Sequence, residues 1–149
     1  QTGIAVGGIG GDGNYYILDV SGHRVPPQQW AEKALELYDH YQADKIVAEI
    51  NNGGDMVIDT IRRVCEGLGR PMVNVESIRA TRGKTLRAEP IAALYEQGRV
   101  HHVGVFLEAE EQLCSFPVAN DHDDLVDAIV YVLSDLSNQG APNIRFLDL

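Results

Sequence analysis

Two groups of carboxylates in this sequence have the residue types and the spacing to do chemistry. Glu49 stands within Ile46-Val-Ala-Glu-Ile50, and a carboxylate among apolar strand neighbours is costly to keep ionised unless something pairs with it. A salt bridge, or a place on the solvated face of an edge strand, would meet that cost. The alternative is a carboxylate presented at the C-terminal end of a buried strand, where α/β sheets carry their sites, with the turn Asn51-Asn-Gly-Gly54 letting a ligand come close. The second group is Asp121-His-Asp-Asp-Leu-Val-Asp127, four acids in seven residues at the start of a helical apolar pattern. Asp123 and Asp127 are four apart and Asp124 and Asp127 three apart, so each pair shares a helix face. Asp at a cap or in a first turn complements the helix dipole, which accounts for Asp121 or Asp123 without any chemistry. It accounts poorly for Asp127, one turn in beside Val126, Ile129 and Val130. Clustered carboxylates raise one another's pKa unless a cation neutralises them, and an all-oxygen set suits Mg²⁺ or Mn²⁺ rather than zinc.

Other groups carry less. His122 could ligate a metal or hold a phosphate, although a histidine in a cap is ordinarily surface. Of His101 and His102, adjacent on a strand pattern, one should face inward. No serine sits in a nucleophile-elbow context. Gly8-Ile-Gly-Gly-Asp-Gly13 matches G-x-G-x-x-G, but a dinucleotide fingerprint needs its glycines to open a helix, and here Asn14 to Val20 is strand-like. Cys65 and Cys114 form neither a metal pair nor a disulfide scaffold, and both are expected to be reduced core thiols.

The elements that must position these groups follow from periodicity. Gly3 to Val20 reads as two strands joined by a glycine-rich turn. Trp30, Ala34, Leu37, Tyr38 and Tyr41 recur at helical spacing after Pro26-Pro27, which predicts a helix over 27–42. Lys45 to Ile50 is a buried-strand pattern. Val57, Ile61, Val64 and Leu68 mark a second helix, and Pro71 to Val75 a further strand. A third helix is predicted from about Ala88 to Gly98, then a short strand Val100 to Val103 and a short helix around Phe106 to Phe116. Asp123 to Leu136 has the strongest helical pattern. Strands alternating with helices after a leading hairpin predict an α/β layer fold with a mixed sheet.

Length and charge bound the rest. With 149 residues the chain is one domain by the usual prior, and 44% apolar with 23% charged residues describes a globular protein. No apolar run approaches the ~20 residues of a membrane span, and Gln1-Thr2-Gly3 lacks the regions of a signal peptide, so the expected setting is cytosolic. A net charge of −10 argues against a polyanion partner, but the distribution is uneven. From Arg62 to Arg99 eight basic residues face four acids, whereas from Glu108 to Asp127 there are seven acids and no Lys or Arg. Phosphate and metal could thus meet on one surface, the plain alternative being scattered charge.

Three segments, Ile46-Val-Ala-Glu-Ile-Asn-Asn-Gly-Gly-Asp-Met56, Gly83-Lys-Thr-Leu-Arg-Ala-Glu-Pro-Ile-Ala-Ala-Leu-Tyr-Glu-Gln-Gly-Arg-Val100 and Asp123-Asp-Leu-Val-Asp-Ala-Ile-Val130, stand in order at spacing that resembles the nuclease domain of large terminase subunits, the DNA-packaging enzymes of tailed phages and related particles. The likeness runs from Thr2 to about Leu136, and the middle segment is its most specific part. It implies an RNase H-like fold, a mixed five-stranded sheet flanked by helices, over residues 1–137, with 138–149 a tail that is irregular or reaches a neighbour. It also implies a metal-dependent endonuclease that cuts concatemeric double-stranded DNA with two Mg²⁺ or Mn²⁺ ions. By this likeness Glu49 is the strand acid and Asp123, Asp124 and Asp127 contain the acid or acids of the final helix, so Glu49, Asp124 and Asp127 are the candidate catalytic residues and Glu49, Asp123, Asp124 and Asp127 the candidate metal ligands. Arg79, Arg82, Lys84 and Arg87 would grip backbone phosphates without reading bases. Portal protein and small terminase subunit are the implied partners, and the cytoplasm of a bacterial host the implied setting. The family carries one more aspartate on a first, central strand just upstream of the segment matching Thr2 to Val6, so that strand is expected to be missing from the chain as given. The G-x-x-x-x-G-K-[ST] loop of an ATPase motor does not occur in it either. Two other classes stay open: a non-catalytic module of the same scaffold that contacts DNA or the portal, and another RNase H-like enzyme such as a junction resolvase, against which the Gly83 to Val100 segment speaks.

Overall fold

Large and small residues alternate along Thr2-Gly-Ile-Ala-Val-Gly7, and in the computed structural model, which describes residues 2–49, 56–78, 84–115, 124–139 and 144–148, they form strand β1 (Thr2–Ile9). A tight turn returns the chain antiparallel as β2 (Tyr15–His23). In that turn Gly13 adopts a left-handed φ of 81°, and the Asp12 carboxylate accepts from the Asn14 amide at 2.9 Å and the Tyr16 hydroxyl at 2.6 Å. The G-x-G-x-x-G glycines therefore serve a hairpin, as the strand-like run after them predicts.

Helix α1 (Pro27–His40) starts with proline where a missing N–H costs nothing, and Gln42, at φ 51°, follows its end. Then come β3 (Lys45–Glu49), α2 (Met56–Leu68), β4 (Val75–Ile78), α3 (Lys84–Glu96), β5 (Val100–His102), α4 (Leu107–Ser115), α5 (Asp124–Gln139) and β6 (Ile144–Asp148). Among the described residues the sheet has six strands, one more than the five expected, in the order β4-β3-β6-β1-β2-β5. β6 runs parallel to β3 and antiparallel to β1, and β5 runs parallel to β2, so the sheet is mixed as predicted.

Strand alternation divides the core into two layers. Ile4, Val6 and Ile46 face α1 and α2, packing with Trp30, Leu35, Ile61 and Cys65. Ala5, Ile17 and Val47 face α5, which brings Leu125, Ile129, Leu133 and Leu136 to the sheet. Helices α3 and α4 cover α5 from outside through Ile91 and Ala109, so α5 is buried on almost every side. Tyr95, His102 and Glu110 tie this layer together: the Tyr95 hydroxyl lies 2.7 Å from His102 Nε2, and His102 Nδ1 lies 3.2 Å from Glu110 Oε1. Burial and the nearby Glu110 push the Tyr95 hydroxyl well above the ordinary tyrosine range. Of the two adjacent histidines, His102 is half-buried and His101 is exposed.

Four expectations change. The strand placed at Pro71 to Val75 begins at Val75, because Pro71 has no donor and the ladder opens only where the Ile46 amide meets the Asn74 carbonyl at 2.9 Å. Helix α3 begins at Lys84 and carries Pro90 inside it, which removes a single i to i−4 bond and leaves the remaining turns intact. Cys65 is buried but Cys114 is exposed, since α4 buries only Ala109 and leaves Cys114 on its outer surface. The C-terminal segment, expected to be irregular or to reach a neighbour, instead supplies β6, which holds the central place in the sheet for which no strand of the chain had been assigned.

Candidate functional site

A strand buried at four consecutive positions has one place where a charge can reach solvent at low cost, and that is its end. Lys45, Ile46, Val47 and Ala48 are buried, while Glu49, the last residue of β3, is half-buried. The apolar run thus fixes the strand in the sheet interior and delivers its carboxylate to the C-terminal edge.

The register carries that edge across the sheet. Ala48 pairs with Asp148 on β6, and Asp148 pairs with Ile4 on β1, so the start of β1 lies level with the end of β3, roughly 10 Å away at two strand spacings. Helix α5 begins over the same edge. A Cβ built on Gly3 would stand 2.5 Å from the Asp124 carbonyl oxygen and 2.9 Å from its carbonyl carbon, so the first turn of α5 rests directly on the β1 backbone. Further along, a Cβ on Gly7 would meet Val132 at 3.1 Å and Leu136 at 3.3 Å.

The other end of α5 is held by charge. The ammonium of Lys45 lies 3.2 Å from Asp135 Oδ1 and also bonds Glu76 on β4; its side chain is 6% exposed and that of Asp135 10%. These two carboxylates offset the cost of burying the lysine side chain. From Lys45 to Glu49 the strand advances roughly 13 Å, and from Asp135 back to Asp124 the helix advances roughly 16 Å. With Asp135 pinned at one end of β3, α5 therefore extends back toward the Glu49 end, where it presents Asp124 and Asp127.

Of the predicted site residues, Glu49, Asp124 and Asp127 are each half-buried, Glu49 at the sheet edge and the two aspartates in the first turn of α5. Lys84 opens α3 and Arg87 lies in its first turn. Asp123, Arg79 and Arg82, with Asp121 and His122, lie outside the described residues. Among the described residues no group of three or more His, Cys, Asp or Glu stands close enough to hold a metal ion. The donor chemistry of Glu49, Asp124 and Asp127, all carboxylate oxygen, is that of a hard divalent cation. Sequence reasoning missed Gly3, Lys45 and Asp135, which set the placement of α5. The alternation of small and large residues in β1 was a signal for the first; an isolated lysine before an apolar strand gave none for the pairing with Asp135.

Among the described residues no helix is long and apolar enough to cross a membrane. A family model, the Terminase RNaseH-like domain, matches residues 1–136, a span that ends before β6. Comparison with curated proteins gives no match.

Proposed function

The chain belongs to the terminase RNaseH-like domain family, and from that premise we propose that it is the metal-dependent endonuclease domain of a large terminase, cutting concatemeric double-stranded DNA as a genome is packaged into a viral or virus-like particle. The observation that carries this reading is the delivery of Glu49 and of the first turn of α5 to one edge of the sheet. Family membership supports a nuclease-type role in general; the site and its metals are our inference.

In this reading Glu49, Asp124 and Asp127, with Asp123 as a fourth candidate, hold Mg²⁺ or Mn²⁺. Two such ions, when bound, supply Lewis acidity toward water and the scissile phosphate. The chain's own contribution is positioning. Glu49 is fixed by a strand paired on both sides, and Asp124 and Asp127 by a helix buried along most of its length, so each carboxylate rides on a rigid element; the three do not by themselves stand close enough to share an ion, and metal binding has to draw them together. Partial burial keeps their field less screened than on an open surface. Lys84 and Arg87 on α3, with Arg79 and Arg82 before it, contact backbone phosphates, which suits cutting with little sequence preference. Portal protein and the small terminase subunit are the proposed partners in the packaging assembly, in the host cytoplasm.

The test is nicking of supercoiled plasmid by this chain in Mn²⁺. Glu49→Gln should lower the rate at least a hundredfold with circular dichroism unchanged. Undiminished nicking by that variant overturns the site. A parent chain that neither binds Mn²⁺ by calorimetry nor nicks would assign the domain to DNA or portal contact instead, and preference for four-way junctions over linear duplex would make it a resolvase.

A further inference from the structure

We propose that Gly3 is a positioning residue: the absence of a side chain there sets how closely the acidic first turn of α5 approaches the sheet edge that carries Glu49. The inference rests on the reading of those carboxylates as a metal site.

Gly3, Ala5 and Gly7 occupy alternate places along β1 on the side that α5 covers, and the two glycines meet the helix in different ways. At Gly7 the nearest atoms are the side-chain methyls of Val132 and Leu136, at 3.1 to 3.3 Å. Methyl groups can rotate or give by a few tenths of an ångström, so an alanine at position 7 is a packing problem. At Gly3 the nearest atoms are the backbone oxygen and carbon of Asp124 at 2.5 and 2.9 Å, followed by the Leu125 amide nitrogen at 3.4 Å. No rotamer change relieves that contact. A methyl group there moves the helix itself, by roughly 1 Å to restore van der Waals separation. The far end cannot follow, because Asp135 is held by buried Lys45. The displacement therefore falls on the turn that bears Asp124 and Asp127, as a tilt away from Glu49. Gly7 is the built-in control, since it lies on the same strand under the same helix but under apolar side chains and away from the acids.

The experiment titrates Mn²⁺ into three chains, the parent, Gly3→Ala and Gly7→Ala, by calorimetry and by the metal dependence of plasmid nicking. Both variants should lose thermal stability. Gly3→Ala alone should raise the Mn²⁺ midpoint about tenfold and lower nicking at limiting metal about a hundredfold, with part of the rate recovered at excess Mn²⁺. Amide hydrogen exchange should rise at residues 125–128 of Gly3→Ala and not at residues 132–136. An unchanged Mn²⁺ midpoint in Gly3→Ala, an equal shift in Gly7→Ala, or a Gly3→Ala chain that does not fold overturns the proposal in favour of a purely structural glycine. If the parent binds no Mn²⁺, the metal reading falls separately. The exchange pattern then decides the positioning role: protection lost selectively in the first turn of α5 supports it, and loss spread over the whole helix overturns it.

Discussion

Asp39 and Arg70 show how a single ion pair can join two elements without being part of any site. The two guanidinium nitrogens of Arg70 reach the two carboxylate oxygens of Asp39 at 2.6 and 2.8 Å, clamping the end of α1 to the chain that leaves α2. The Arg70 hydrogen bonds hold the Asp39 carboxyl below the ordinary aspartate range, and in turn raise the guanidinium. A depressed carboxyl pKa contributes stability that is complete above the unfolded value of ~3.9 and is lost as pH falls through the folded value. Asp39 is 56% exposed, so screening leaves the pair worth about 0.5–1 kcal/mol. Asp39→Asn should therefore lower the melting temperature by about 2 °C at pH 7, with the difference beginning to shrink only below about pH 4 and vanishing once pH falls below the depressed folded value. A difference that did not shrink at all as pH falls from about 4 toward the acid limit would show that packing, not charge, holds the clamp. Glu49 is the contrasting residue. Its type and apolar neighbours marked it in the sequence, and the structure places it at the end of the strand, where it is half-buried.

Helix α5 is the element on which the proposed site depends. Its apolar residues face the sheet on one side and α3 and α4 on the other, leaving the first turn as the place where its acids reach the edge. The Lys45–Asp135 pair fixes its far end from a position where charge is expensive. Removing one member of a buried pair costs more than the pair itself contributes, because the remaining charge stays in a poorly solvating place. Lys45→Ala should thus destabilise the chain by about 3 kcal/mol in urea unfolding. The joint replacement Lys45→Met with Asp135→Leu should recover most of that loss. A double variant no more stable than the single one would mean that the pair is a net contributor, not a specificity device.

At the scale of the whole molecule the sheet is two parts joined by one strand. β1, β2 and β5 form one part, β3 and β4 the other, and among the described residues β6 is the strand that hydrogen-bonds to both. A chain ending after Gln139 would leave β1 and β3 each with an unpaired edge in the middle of the core. We expect that truncation to lose cooperative unfolding, with amide protection falling in both β1 and β3. Protection kept in both would show that α5 packing suffices to hold the halves together. The net charge of −10 also makes sense only at this scale. Residues 1–61 carry −6 and residues 108–127 carry −7, whereas 62–99 carry +4, so the average described no one segment.

The sequence by itself determined the local elements and the class: hairpin glycines, a proline-led helix, an apolar strand closing on Glu49 and an apolar helix opening on acids each follow from spacing within a few residues, and three such segments in order carried the family. It determined the α/β alternation too, because the periods of strand and helix are local properties of the chain. Tertiary structure alone decided that β6 lies between β3 and β1, that Lys45 meets Asp135, and that Gly3 lies under the Asp124 carbonyl. Each of these joins residues far apart in the chain, where sequence spacing carries no distance, and each is chosen by which backbone edges and buried charges remain to be paired once the local elements have formed.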